Sequence, residues 1–242
     1  MVALGGLDDT LHKPGHVQAL LVYNEGQVKR MENCMSTSCL QFGALPRTPL
    51  LIVISGPSGI GKDAVVGLLR KTNPNTHFVI TMNSRPPRPE EVNGRDYFFV
   101  SREEFERMIA AGELLEHAKV YSDYKGIPKS QVREAFATGK DVIMRLDAQG
   151  AITIRSLCPE ALLIFLTASS QEEWIARLEA RRSDTPEEIA IRIETAKKEY
   201  AQIDLFDYVV VNSDQQLDCT IADIQAIIKA EHLRVHPRQV TL

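Results

Sequence analysis

The chain has 242 residues, 44% of them hydrophobic and 25% charged, with a net charge of −4. That is the profile of an ordinary globular α/β-sized protein, with no overall basic field to hold nucleic acid. No apolar run approaches the roughly 18 residues that a membrane span needs.

Residues 1–47 differ from the rest. They combine Gly5-Gly6, Pro14-Gly15, a short apolar patch at Val17–Val22 and the polar stretch Met35–Ser38, with no sustained period. They read as an extension with little fixed structure. They lack the basic start and long apolar centre of a secretory signal, and Asp8 and Asp9 come early for an organellar transit peptide. Cys34, Cys39, Cys158 and Cys219 have no metal-site spacing and read as reduced thiols of an intracellular protein.

From Leu50 the chain alternates strand and helix patterns, which predicts a mainly parallel sheet with crossover helices. Leu50–Ser55 reads as a strand buried on both faces, followed by Gly56, Gly59 and Gly61, then Lys62 and a helical apolar run to about Arg70. Strand, glycine-rich turn and helix start form the phosphate-cradling pattern G-x-x-x-x-G-K. The glycines let successive N–H groups turn inward on an anion, the new helix adds the positive end of its dipole, and Lys62 adds a mobile cation. The next position should carry a hydroxyl for Mg²⁺ but carries Asp63.

His77–Met82 reads as a short strand, Asn83–Gly94 as an extended Pro-rich segment and Asp96–Val100 as an aromatic strand. Ser101–Glu104 is a capping box for a helix that stops at Gly112. Leu114–Val120 is a strand, Pro128–Thr138 a helix, and Asp141–Leu146 and Ala161–Thr167 are core strands. Ser170–Glu173 and Thr185–Glu188 are two more capping boxes, Phe206–Val211 is the last strand, and Leu217–Ala230 is a closing amphipathic helix. The polar tail from His232 is expected to fray.

Two further constellations carry chemistry. Arg85-Pro-Pro-Arg88-Pro holds two guanidiniums in a stiff segment, followed by Glu91, Asn93, Arg95 and Tyr97. Such a segment can grip a phosphate bidentately, or serve as a P-x-x-P ligand of an SH3-type partner. A phosphate loop upstream favours the grip. Arg177 and Arg181 share a helix face, with Arg182 adjacent and Arg192 one helix later. The face suits a flap closing over phosphates, or a solvated face paired to Glu173, Glu179 and Glu188.

These residues resemble guanylate kinase. The segments Gly56–Lys62, Ser84–Ser101, Gly112–Glu116, Asp147–Gly150 and Tyr208–Asn212 follow that family's motifs in order, over about residues 50–231. The Gly-Lys-Asp form of the loop looks most like the plant organellar members, which makes a plastid or mitochondrion the expected location and the cytoplasm the alternative.

The resemblance implies a P-loop parallel-sheet core over 48–232, with an inserted GMP lobe at about 82–130, a lid at about 170–190 and a tail at 233–242. It implies Mg²⁺ with ATP as cofactor and transfer of a phosphoryl group to GMP and dGMP. It implies that Gly56, Pro57, Ser58, Gly59, Ile60, Gly61, Lys62, Asp63 and Asn212 meet ATP. It likewise implies that Thr81, Arg85, Arg88, Glu91, Tyr97, Glu116, Tyr124 and Asp147 meet GMP, and that Lys62, Arg177, Arg181 and Arg192 stabilise the transferring charge. No nucleic acid, membrane or obligate protein partner is expected.

The chain departs from the family at four places. Asp63 replaces a hydroxyl residue or glycine, Arg145 a carboxylate, Lys125 a second tyrosine and Ile127 a Ser or Thr. Asp63 is expected either to order Mg²⁺ or to pair with Arg145. The rival readings are a related small-molecule kinase with another acceptor, and a non-catalytic guanylate-kinase-like module. Glu116 with Asp147 argues against the first, and Lys62 against the second.

Overall fold

The computed structural model describes residues 47–120, 123–180 and 185–241. The expectations for the extension, and for Arg181 and Arg182 near the lid tip, lie outside the described residues.

A five-stranded, all-parallel sheet forms the centre, in the order β2-β7-β1-β8-β9. Its members are β1 (Leu51–Ser55), β2 (Thr76–Phe78), β7 (Asp141–Arg145), β8 (Leu162–Thr167) and β9 (Tyr208–Val211). Alternation along β1 explains why the whole strand is apolar. Ile52 and Ile54 point into one core with Val65 and Leu69 of α1 (Lys62–Thr72) and Ile221, Ile224 and Ile228 of α7 (Leu217–His232). Leu51 and Val53 point into a second core with Val132 of α3 (Lys129–Ala137) and Ala151 and Ile154 of α4 (Ala148–Leu157). Both faces are thus covered by helices, as a parallel sheet requires.

A second, four-stranded sheet has the order β4-β3-β6-β5, from β3 (Met82–Asn83), β4 (Phe98–Phe99), β5 (Leu114–Val120) and β6 (Asp123–Pro128). It encloses a small core of Met82, Phe105, Met108 and Leu114 under α2 (Arg102–Ala110). The strand expected at His77–Met82 divides here. Thr76–Phe78 joins the main sheet and Met82–Asn83 the small one. Between them the Gln131 side chain holds both backbone groups of Ile80, its amide at 2.8 Å and its carbonyl at 3.0 Å.

The capping boxes are realised unequally. At Thr185, ahead of α6 (Pro186–Tyr200), both reciprocal bonds form. At Ser101 and Ser170 the serine accepts from the third helical N–H, but the glutamates go elsewhere: Glu104 to Arg107, and Glu173 to Arg177 of α5 (Gln171–Ala180). The tail does not fray. Arg238 is 8% exposed and donates to Glu231 at 2.7 Å, and Val240 packs on the second core.

Candidate active site

The chain passes from β1 into α1 through the glycine loop, at the end of the sheet where parallel α/β proteins bind ligands. Gly61 opens the helix at φ 94, and a Cβ there would meet Asn212 Nδ2 at 2.6 Å. Ile60 is fully buried and pins the loop to the core. Lys62 folds back inside it, donating to the carbonyls of Gly56 at 2.5 Å and Pro57 at 3.0 Å.

Three neighbours brace this loop. Asn212 donates from Nδ2 to the Ile60 carbonyl at 2.7 Å and accepts from the Thr220 hydroxyl at 2.9 Å. Its buried amide therefore holds the loop on which ATP is expected. Trp174 of α5 donates to the Ser58 carbonyl at 2.9 Å, and Arg192 of α6 donates to the Ser58 hydroxyl at 2.5 Å. Arg177 ties α5 to the same region by donating to the Asn212 carbonyl at 2.8 Å and pairing with Glu173. Arg177 of the expected lid and Arg192 on its flank thus reach the phosphate loop or its brace.

On the small sheet, Arg85 is gripped bidentately by Glu91, at 2.7 and 2.5 Å, and lies over the rings of Tyr97 (5.4 Å) and Phe99 (5.6 Å). Glu91 also accepts from the Arg88 backbone, and the Arg85 guanidinium, with that N–H, holds its carboxyl down at about 2. Glu91 thereby orients Arg85 rather than offering a free carboxylate. The Arg88 side chain is exposed beside it, and Thr81 is half-buried in a cleft that also reaches Tyr97.

Glu116 of β5 stands opposite Ile127 of β6. Burial, with the nearby charge of Asp147, pushes its carboxyl up to about 7. Asp147 follows β7 and caps α4, accepting from the Gly150 N–H at 2.8 Å. Helix α4, which Asp147 caps, packs against β5, which carries Glu116, so the two carboxylates, one from each sheet's elements, converge.

Tyr124 is not brought to this face. Its half-buried ring stacks on Phe105 at 5.3 Å against the small core, on the side where a Cβ at Gly126 would also meet Phe105. Strand alternation puts Lys125 and Ile127 on the opposite side, with Glu116. Lys125 is therefore a β6 cation on the Glu116 face, beside the buried Ile127.

Sequence reasoning passed over Trp174 and Glu199. Glu199 of α6 is half-buried, with burial raising its carboxyl and Lys62 opposing the rise. One glutamate among several on an amphipathic helix gives no signal of its own. The expected partner of Asp63 does appear: Arg145, at the end of β7, forms an ion pair with it.

The guanylate kinase family model matches residues 48–231. The chain belongs to the guanylate kinase family. It is 47% identical over 200 residues to guanylate kinase 2, chloroplastic/mitochondrial, of Oryza sativa subsp. japonica, covering 82% of this chain and 70% of that one. It is 47% identical over 171 residues to the guanylate kinase of Nocardia farcinica, covering 70% of this chain and 89% of that one. The crystal structure of guanylate kinase from Anaplasma phagocytophilum superposes with a TM-score of 0.62 at 28% identity, over 79% of this chain and 90% of that one. The chain is accordingly a phosphotransferase with a P-loop core, and its reaction is ATP-dependent phosphorylation of GMP. No helix among the described residues is long and apolar enough to cross a membrane.

Proposed function

We propose that the two sheets divide the reaction between them. The main sheet carries ATP on the loop Gly56–Lys62, the lobe at about 82–130 carries GMP or dGMP, and the segment at about 170–190 closes over both. The observation that carries this reading is the convergence of Glu116 and Asp147, one from each sheet. Guanine presents N1–H and an exocyclic amine on one edge, which suit two carboxylate acceptors, whereas adenine offers no N1–H there.

The GMP phosphate is gripped by Arg85 and Arg88 with the Tyr97 hydroxyl, and Glu91 keeps Arg85 aimed. One of its oxygens attacks the γ-phosphorus of ATP, a new P–O bond forms, the bond to the β-phosphate oxygen breaks, and ADP leaves with that electron pair. Lys62 and the loop N–H groups hold the β- and γ-phosphates, and Arg177, Arg181 and Arg192 spread positive charge over the transferring group. The protein's part is to position the reactants and exclude water, not to form a covalent intermediate.

Mg²⁺ arriving with ATP would neutralise charge on the transferring phosphates. Such a metal is held chiefly by substrate phosphates and water, with one or two protein carboxylates. Asp63 at the loop offers one such carboxylate, 71% exposed even while paired with Arg145.

We place the enzyme in plastids or mitochondria on its likeness to the rice protein named chloroplastic/mitochondrial. Imaging the full chain fused at its C-terminus to a fluorescent protein tests that placement.

The deciding experiment measures ADP formation from Mg·ATP with GMP, dGMP, AMP, CMP and UMP offered separately. Turnover confined to GMP and dGMP supports the reading. Equal turnover with AMP overturns the guanine assignment of Glu116 and Asp147.

A further inference from the structure

Asp63 and Arg145 form an ion pair at the point where the two halves of the site meet. Asp63 is the second residue of α1, where a carboxylate is favoured by the helix dipole. Arg145 ends β7, paired in register with Ile54 of β1, the strand that feeds the phosphate loop. Neither is sequestered: the side chains are 71% and 37% exposed.

Both line a polar cleft of about 290 Å³ that runs from α1 to Thr81 and Tyr97 of the small lobe. Its charged lining consists of Arg70, Arg95, Arg145, Asp63 and Asp96, leaving the cations in excess. Arg95 is occupied by Asp96, and Arg70 lies 5.5 Å over the Phe78 ring. Arg145, from the strand beside β1, borders the same space as Tyr97.

We propose that Arg145 is a further phosphate-binding residue for the nucleoside monophosphate, and that Asp63 is its positioning residue. This rests on the reading of Tyr97 and Arg85 as the monophosphate site. A guanidinium has five N–H donors in a planar fork, so one edge can stay on the Asp63 carboxylate while another meets a phosphate oxygen. The pair therefore need not break on binding. Asp63 limits the rotamers of a long side chain before the ligand arrives, which lowers the cost of ordering it. The arrangement also puts a fixed positive charge between donor and acceptor phosphates, which otherwise repel one another.

The test is a GMP titration by calorimetry without ATP and in excess EDTA, so that no metal role of Asp63 contributes. Folding of each variant is checked by circular dichroism, and guanosine binding is followed by ligand NMR. We expect Arg145→Gln to weaken GMP binding about 10-fold, the scale of one charge-assisted phosphate contact, and to leave guanosine binding unchanged. Asp63→Asn should weaken GMP binding by a smaller factor, and the double variant should be no worse than Arg145→Gln alone. Arg145→Lys should recover part of the loss.

Unchanged GMP affinity in Arg145→Gln overturns the proposal, as does an equal loss for GMP and guanosine. If Asp63→Asn leaves GMP binding intact in EDTA, its positioning role falls. Failure of the wild-type chain to bind GMP would overturn the underlying site reading instead.

Discussion

The guanidinium of Arg192 donates to the Ser58 hydroxyl at 2.5 Å, so helix α6 touches the second residue past the first loop glycine. In the proposed function, this contact is where α6 would bring a cation to the transferring phosphates. We predict that Arg192→Ala lowers kcat on the order of 10²–10³-fold, the scale of removing one donor aimed at developing charge. Arg192→Lys keeps the charge but loses the fork, and should recover only part. Steady-state kinetics with GMP saturating measures both. A kcat within twofold of wild type in Arg192→Ala would eliminate the role.

A second prediction concerns pH. The Glu116 carboxyl is pushed up to about 7 by burial, with Asp147 adding to the shift. The ionised form is much the stronger acceptor for guanine N1–H, so GMP affinity should fall as pH drops below about 7, with a slope approaching one proton. Glu116→Gln should bind GMP weakly and without that slope. The stability effect has the opposite sign. The folded state holds this proton more tightly than the unfolded chain, so stability is lost as pH rises from about 4.5 through 7. Glu116→Gln should therefore raise Tm more at pH 8 than at pH 5. A pH-independent GMP Kd in the wild type would sink this account.

The phosphate loop was legible because two independent signals coincide at Leu50–Lys62: a run apolar on both faces and a glycine spacing that few structures need. Strand β6 escaped the pattern because it contains Gly126 and Pro128, residues that usually argue against a strand. Packing overrides propensity there, since a Cβ at Gly126 would lie 2.8 Å from the Glu116 carbonyl and 3.0 Å from Phe105. Helix α4 escaped for a similar reason. Its start, Ala148-Gln-Gly150, looks like a turn, yet Gly150 is there because a side chain would press on Leu146 and Asp147. The brace role of Asn212 could not be read at all, because its partner Ile60 is 152 residues away in sequence.

The two faces of β6 yield a third prediction. Tyr124 stacks on Phe105, whereas Lys125 faces the side of Glu116. Tyr124→Ala should destabilise the fold by about 1–2 kcal/mol, less than the loss of a fully buried aromatic, with little change in GMP KM at a temperature where the variant is folded. Lys125→Met should leave Tm nearly unchanged and raise GMP KM. Thermal melts and kinetics on the two variants would show the reverse pattern if Tyr124 were the ligand contact.

The last prediction concerns the chain end. Glu231, 3% exposed, accepts from Arg238 at 2.7 Å, Tyr208 at 2.7 Å and Arg234 at 3.1 Å. Burial alone would push its carboxyl up, but these three donors outweigh it and hold the group at about 2. Arg238 also pairs with Asp207 at 3.5 Å, at the entry to β9. Ending the chain after Leu233 removes two of the three donors and leaves a buried carboxylate with one. Such a loss costs about 3–5 kcal/mol, so the truncated chain should melt well below the full one. Because the folded pKa is depressed, the stability that Glu231 contributes is present above about 4.5 and is lost as pH falls toward 2. The gap in Tm between full and truncated chains should therefore narrow on acidification. A Tm unchanged by truncation at pH 7 would mean that the tail is held for some other reason than the fold.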